Sequence, residues 1–457
     1  MPASARSALA DRIRTLPERH GRRTLALLAV ILLVGAVLRA DRVVNPNGDP
    51  GDDAHAYFAL SKALYEDGSY GGPDFRDSSD WSPGAPLLYA GAFAATGGAR
   101  EGTARAVEAL LGIVGILVVY LLGARIGCRP AGLIAAAGVA VYPPFIHSTG
   151  AMLSEPPALL TLPAAILAFL WAADRRGTWE WLVPGLLLGV TALIRPEYAS
   201  VAALLAAVAL VTVWRRAGAR PAAAATAVLV AAMLVPVAPW TVRNAIVLDR
   251  FVPISTGGGK ALYVGTYLPA DGDYQRVKAA LVERYEGRTL EPGSEELDRV
   301  NPTPLFDRVA ARYPDLPRDE ALGKVGREQF WDYLGDQPLD YAAMTVRKVW
   351  RMWSSGVGEA MQSGLGRVIQ VLLVALGLAG LALLYARRRI LEAVVFTVPI
   401  AAITFVGALS LASDRRSEVL MTLVFPLAGT ALAHAGAILR ERRAGRGREV
   451  PAGQPTA

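Results

Sequence analysis

Apolar residues along this chain gather in long blocks, with no alternation of period two and with polar residues pushed to the block ends. Ten blocks stand out: Thr24–Leu38, Arg105–Gly123, Pro130–Ile146, Glu155–Ala173, Trp181–Ile194, Tyr198–Trp214, Pro221–Trp240, Val368–Ala386, Ile390–Leu411 and Val419–Leu439. At roughly 15–21 residues each, they suit helices crossing a bilayer better than elements of a globular core. Ala, Gly and Leu dominate them, as expected where membrane helices pack through small residues. An eleventh stretch, Ala85–Ala95, is too short to cross; it lies between Pro86 and the Gly97-Gly98 break and is expected to rest along the surface.

Charge tests this list. With the amino terminus inside, segments 1–23, 125–129, 174–180, 215–220, 387–389 and 440–449 are cytoplasmic and hold 21 Lys+Arg against 6 Asp+Glu. The outer segment 41–104 holds 4 Lys+Arg against 10 Asp+Glu. That is the positive-inside bias. Counting Ala85–Ala95 as a span would invert the later loops and place Arg175-Arg176, Arg215-Arg216 and Arg387–Arg389 outside. The first block, with Arg22 and Arg23 before it, resembles a signal-peptide core, but Arg39, Asp41 and Arg42 follow at once and no small-residue cleavage site does, so it reads as an uncleaved first span.

The expectation is an all-α polytopic protein of the cytoplasmic membrane, with about ten transmembrane helices and a small mixed extracytoplasmic domain. Its parts are a cytoplasmic segment 1–23; a transmembrane core 24–241 that includes the acidic first outer loop 41–104; an outer loop domain 242–366; C-terminal transmembrane helices 367–439; and a disordered cytoplasmic tail 440–457. A structureless loop as long as 242–366 would be unusual, and its end, Val346–Trp353, is basic and aromatic, which suits the membrane interface. Composition agrees: of 457 residues 53% are hydrophobic and only 19% charged, below the quarter or so typical of soluble chains. The net charge of +7 flanks apolar segments and forms no stripe, which argues against nucleic acid. The single cysteine, Cys128, offers neither an internal disulfide nor a structural zinc site.

Candidate chemistry sits on the outer side. In "GDDAHAYFALSKALYEDGSY", Gly51 to Tyr70, a helix is predicted from about Asp53 to Glu66, with Ala54, Tyr57, Phe58, Ser61, Leu64 and Tyr65 on one face and Gly68 ending it. Asp52 and Asp53 can serve as N-cap and dipole partner; the same position also fixes a carboxylate near the bilayer surface where it can act. His55, one turn beyond Asp52, reads as a solvated histidine or as half of an Asp/His metal pair. In "HSTGAMLSEPPALL", Glu155 opens the fourth span, with Pro156-Pro157 suited to a first helical turn. It is either a helix-terminal charge or a group facing Asp52 across an outer cavity, since ionisable residues at membrane depth tend to be functional. Arg195, Arg243 and Arg415-Arg416 lie outside against the charge trend. Each can pair locally, with Glu197, Asp249 or Asp414, and together they would suit an anionic lipid phosphate. "STGGGKAL", Ser255 to Leu262, lacks the first Gly of a phosphate loop and has Ala261 after the Lys, so its glycines read as a flexible turn; Lys260 stays among the substrate-binding candidates.

These motifs, in this order over most of the chain, resemble the GT-C glycosyltransferases, in particular the phospholipid-carrier-dependent branch with the protein O-mannosyltransferases and aminoarabinose transferases. "GDDAHAYFALSKAL" is similar to the acidic Asp-Glu motif of the first outer loop, with Asp53 in place of Glu. "WSPGAPLLYAGAFAATGG" resembles the Pro-rich lead-in to the juxtamembrane helix, and "AMLSEPPALL" the second acidic position. "PWTVRNAIVLDRFVPISTGGGKALYVGTY" is similar to the segment after the middle spans, and "DRRSEVLM" to an Arg-Tyr segment in which Arg416 here replaces Tyr. The resemblance implies inverting transfer of a hexosyl or pentosyl group from a polyprenyl-phosphate donor to an outer acceptor, be it lipid, glycan or protein. It implies Asp52 as general base with Asp53 beside it, Glu155 orienting the acceptor or holding a metal, and Arg195, Arg243 and Arg415 meeting the phosphate; His55 and Lys260 stand beside these as further substrate-binding candidates. Some members use a divalent cation and others do not, so that cofactor stays open and no residue is assigned to a metal. A secondary transporter or flippase of lipid-linked or anionic substrates is the competing class; it would favour two similar halves and broken helices, neither of which the sequence shows.

Overall fold

The computed structural model describes residues 21–46, 52–71 and 78–446, and among them every regular element is a helix. Eight helices are long and apolar enough to cross a membrane. They are α1 (Arg22–Val44), α4 (Glu101–Ile126), α7 (Glu155–Ala173), α9 (Tyr198–Ala217), α10 (Ala219–Leu248), α18 (Gly364–Ala386), α19 (Ile390–Leu409) and α20 (Asp414–Arg446). Two shorter apolar helices, α5 (Arg129–Val141) and α8 (Leu182–Ile194), fall where the remaining two spans are expected. On α1, Leu27, Val30, Leu33 and Val37 are exposed, a continuous apolar face that water would not tolerate and lipid does. The chain is a multi-pass membrane protein.

Close packing explains the small residues. A Cβ on Gly123 of α4 would lie 2.9 Å from the Cα of Gly132 on α5, and α20 runs between α5 and α18 in the same way. The first span continues six residues past its expected end at Leu38. Arg39 does not face the headgroups; its Nη1 and Nη2 donate to the carbonyls of Ala140 and Val139, each at 3.2 Å. Those are terminal carbonyls of α5, which lack helical partners of their own.

At one end of the bundle sit α2 (Asp52–Glu66), α3 (Gly84–Thr96), α6 (Pro143–His147) and a helical lobe. The lobe comprises α11 (Gly258–Thr266), α12 (Tyr274–Glu286), α13 (Glu295–Asp298), α14 (Thr303–Ala310), α15 (Arg318–Asp336) and α16 (Pro338–Ser354), and α17 (Glu359–Gln362) leads back into α18. Val277, Leu281, Phe306, Leu322 and Tyr263 form its own core. The expected mixed domain is not found: among the described residues the lobe has no strand, and amphipathic helices fill it. The glycines before Lys260 do not make a flexible turn either. Gly258 and Gly259 begin α11, whose free N–H groups at Gly259 and Lys260 donate to Asp319 Oδ1 at 2.8 and 3.2 Å; a Cβ on Gly259 would collide with the Asp319 carbonyl. The helix α20 runs to Arg446, beyond the expected start of a disordered tail at 440; residues 447–457, like 1–20, lie outside the described residues.

Candidate active site

Four helix ends converge beside the lobe. Asp53 is in the first turn of α2, Glu155 opens α7, Arg195 follows the last residue of α8, and Arg415 is in the first turn of α20. Local sequence fixes several of these positions. Pro156 and Pro157 suit the first turn of α7, where no amide hydrogen is needed. The loop leading into it is clamped: Gly150 N donates to Glu108 Oε2 at 2.7 Å, and the Tyr89 hydroxyl meets Glu108 Oε1 at 2.6 Å. Within that loop Met152 adopts φ 51°, an uncommon backbone for a residue with a side chain. Tyr57 is buried with its hydroxyl beside Ser154 and Ser82, and Ser82 Oγ donates to the Ile194 carbonyl at 2.6 Å. These contacts join α2, α7 and α8.

Arg415 is the centre of the cluster. Its Nε donates to Glu155 Oε1 at 2.6 Å and its Nη2 to Glu155 Oε2 at 3.1 Å, while Nη1 donates to Asp53 Oδ2. Arg195 Nη1 donates to the same Glu155 Oε1 at 2.8 Å, and its Nε to Glu197 Oε1 at 3.0 Å. The result is an alternating chain: Asp53, Arg415, Glu155, Arg195, Glu197. Burial by itself would discharge such groups. Here the Glu197 carboxyl, pushed up by burial, is held below its ordinary value by Arg195 and Arg416. Arg195, pushed down by burial, is held above its own by Glu197 and Glu155. The chain has an inside and an outside: the Glu155 side chain is 1% exposed, the Asp53 side chain 40%. Glu155 is sealed beneath its two arginines, and Asp53 and Arg415 form the open rim.

The lobe adds a cation. The Lys260 ammonium lies 5.4 Å from the Tyr274 ring centre and 5.3 Å from that of Phe306. Burial lowers its pKa, and the Asp53 carboxylate is the first of the charges that oppose this. Three further candidates fare differently. Asp52 is the first residue of α2, but its side chain lies outside the described residues. His55 is exposed on the same turn. Arg243 is not part of the cluster: it lies over Trp240 and Tyr70 at 5.0 and 5.6 Å and donates to the Tyr70 carbonyl at 3.0 Å, tying α10 to the segment after α2. It does not pair with Asp249. Arg195 does pair with Glu197 as local proximity suggests, and in addition with Glu155; the Arg415 guanidinium passes over Asp414 for Asp53 and Glu155.

Ser154, Tyr57, Tyr89 and Glu108 escape a reading from sequence. Only Glu108 carried a signal, an acidic residue inside an apolar block. Among the described residues no three His, Cys, Asp or Glu side chains group as a metal site. The donor set explains this: Asp53 and Glu155, the carboxylates that meet here, already spend oxygens on guanidinium groups.

Residues 80–240 match the family model described as dolichyl-phosphate-mannose-protein mannosyltransferase. That interval contains Glu108, Glu155 and Arg195 and ends before Arg415. No curated protein matches the sequence. Among solved structures, the archaeal oligosaccharyltransferase AglB from Archaeoglobus fulgidus, in complex with an inhibitory peptide and a dolichol-phosphate, is 18% identical. It superposes over 96% of this chain and 53% of that chain with a TM-score of 0.56. The Archaeoglobus fulgidus oligosaccharyltransferase tethered to an acceptor peptide with the NVT sequon is 13% identical over 93% of this chain and 51% of that chain, at 0.51. ArnT from Cupriavidus metallidurans bound to undecaprenyl phosphate is 14% identical over 94% of this chain and 81% of that chain, but at 0.40 the overlap is too loose to carry an argument. The chain spans about half the length of the oligosaccharyltransferases it matches. By its order of spans and the two superpositions above a TM-score of 0.5, the chain has the membrane fold of the archaeal oligosaccharyltransferase.

Proposed function

We propose that this chain is a membrane glycosyltransferase that moves a sugar from a polyprenyl-phosphate donor to an acceptor hydroxyl at the extracytoplasmic face. The observation that carries the reading is the Asp53–Arg415–Glu155–Arg195 chain, which sets an exposed carboxylate beside a fixed guanidinium at the mouth of a membrane bundle. In this reading Asp52, at the start of α2, takes the proton from the acceptor hydroxyl as its oxygen attacks the anomeric carbon. The bond from that carbon to the phosphate oxygen breaks, its electron pair leaves with the lipid phosphate, and the anomeric configuration inverts. Arg415 has used three of its five N–H groups, so two remain for phosphate oxygens. Lys260 supplies a second charge from the lobe. The helix starts at Asp52, Glu155 and Asp414 add the positive ends of three helices.

Glu155 has no oxygen free of arginine and is sealed from solvent, so its part is to aim Arg415 and Arg195 rather than to touch the acceptor. Fixed donors of this kind are worth about 10²–10³ in rate at other electrostatic sites. The family match over residues 80–240 and the fold of a dolichol-phosphate-binding oligosaccharyltransferase support the substrate class. The test is transfer from radiolabelled polyprenyl-phosphate sugar in proteoliposomes. Asp52→Asn should lose at least a hundredfold in rate with binding retained; full activity would overturn the base assignment. Movement of the intact donor across the bilayer without release of its sugar would instead indicate a flippase.

A further inference from the structure

The last lobe helix, α16, has two apolar stripes. Tyr341, Met344, Lys348 and Met352 are buried on one side. Leu339, Val346 and Trp350, spaced seven and eleven residues apart and so nearly in line on a helix, are 83%, 69% and 61% exposed on the other. Two contacts fix the height of this helix. Lys348 Nζ donates to the Ala408 carbonyl at 3.0 Å, and Trp353 Nε1 donates to Thr404 Oγ1 at 3.1 Å. Both acceptors lie in the last turns of the span α19, with Thr404 roughly 7 Å from its end. Residues 346–353 are thus level with the headgroup zone, where the exposed stripe meets lipid.

Beside that stripe opens a cleft of about 530 Å³, lined in part by Leu268, Asp271, Arg276, Arg347, Trp350 and Arg351. Asp271 organises two of the arginines. Its Oδ1 accepts from Arg347 Nε at 2.9 Å, its Oδ2 from Arg351 Nη1, and its carbonyl from Arg351 Nη2 at 2.6 Å. Within the lining one carboxylate stands against three guanidiniums, and even with Asp340 acting on Arg347 from outside it the positive charge is in surplus; Arg276 has no ion-pair partner among the described residues. Nothing in the proposed transfer uses these groups.

We propose that this cleft holds the phosphate headgroup of an anionic phospholipid of the surrounding bilayer. Arg276 and the outward N–H groups of Arg347 and Arg351 meet the phosphate oxygens, Asp271 keeps the two α16 arginines in place, and the acyl chains pass Val346 and Trp350 toward the membrane end of α16. A membrane lipid fits better than free phosphate because the cleft opens onto an apolar stripe at bilayer height. The lipid would seat the lobe against the membrane, and this site stands whether or not the transfer reading does.

The full chain is placed in phosphatidylcholine nanodiscs containing graded phosphatidylglycerol, and retained lipid is counted by native mass spectrometry. Quenching by brominated phosphatidylglycerol is read as the difference between wild type and Trp350→Phe. Phosphatidylglycerol should be retained in preference to phosphatidylcholine and should quench Trp350. Arg276→Ala, which breaks no ion pair, should weaken retention about fivefold, the usual effect of one arginine at an anionic surface. Arg276→Ala with Arg347→Ala should weaken it at least tenfold, with an unchanged melting midpoint of the single variant showing that the fold is intact. Equal retention of the two lipids, or wild-type retention by Arg276→Ala, would overturn the proposal. So would displacement of phosphatidylglycerol by inorganic phosphate at equal concentration, which would show that the bilayer plays no part.

Discussion

Glu155→Gln isolates the charge at the heart of the cluster, because the amide has nearly the shape of the carboxylate. Three guanidinium N–H groups now donate to Glu155, at 2.6, 3.1 and 2.8 Å. An amide offers one oxygen and turns two N–H donors toward a guanidinium that has nothing to accept them. Removing one partner of a buried ion pair costs about 3–5 kcal/mol. Arg415 keeps Asp53 and Arg195 keeps Glu197, which places the variant at the lower end, about 3 kcal/mol, or roughly a hundredfold in the folding equilibrium. Activity should fall for a second reason. Without its two-point hold on Glu155, Arg415 swings toward Asp53, and a displaced donor costs about 10²–10³ in rate. Two readings are needed on the same purified protein: the melting midpoint in detergent, and the transfer rate per folded molecule from a radiolabelled donor. Glu155→Gln should lower both; Glu155→Asp, which keeps the charge but falls one methylene short, should lie between it and wild type in both. A Glu155→Gln protein that melts with wild type and transfers at the same rate would refute the claim that this carboxylate holds the arginines in place.

Two further outcomes follow from the seat of the lobe. A Cβ on Gly265 would overlap the Ser410 carbonyl carbon, five residues before Arg415, whereas Gly335 has open space around it. Gly265→Ala should therefore cost about 1–3 kcal/mol and open the lobe to limited proteolysis, with Gly335→Ala unaffected; equal protease resistance of the two variants would refute it. Burial pushes Lys348 down to about 7, with Arg416 and Arg351 acting in the same direction and Asp271 against them. The unfolded chain holds that proton to about pH 10.4, so between about 7 and 10.4 the unfolded state binds more protons and stability rises with pH, the cost being complete below 7. The wild-type melting midpoint should climb from pH 7 to 9, and Lys348→Met should flatten that climb; parallel profiles for the two proteins would show that Lys348 does not titrate in this window.

Most of the membrane-spanning helices were readable from the chain because each carries its own evidence, an apolar block with its charges at the ends, and needs no distant partner to be recognised. What failed needed such partners. The end of the first span was misplaced because Arg39 looks like a headgroup residue until the carbonyls of Val139 and Ala140, a hundred positions away, accept its guanidinium. The glycines before Lys260 looked like a turn because Asp319, which supplies the missing acceptor for their helix, comes sixty residues later. The same limit shaped the candidate site. Glu197 and Asp414 were the visible neighbours of Arg195 and Arg415, yet Glu155 binds both arginines from 40 and 260 positions away. Residue type and the charge trend were still enough to single out Asp53, Glu155, Arg195 and Arg415, which the structure brings together, for a physical reason. An arginine on the acidic face of a membrane protein runs against the charge bias of the chain, and a buried one persists only with groups that accept its N–H donors or offset its charge. Arg195 and Arg415 are held by a carboxylate in this way, and so, on the surface of the lobe, are Arg347 and Arg351 around Asp271. Arg243 met the same criterion and yet stands apart, because stacked rings and a backbone carbonyl can also hold a guanidinium. Misplaced charge thus marks where a carboxylate or an aromatic pair must be sought, and only the geometry shows which of the two is there.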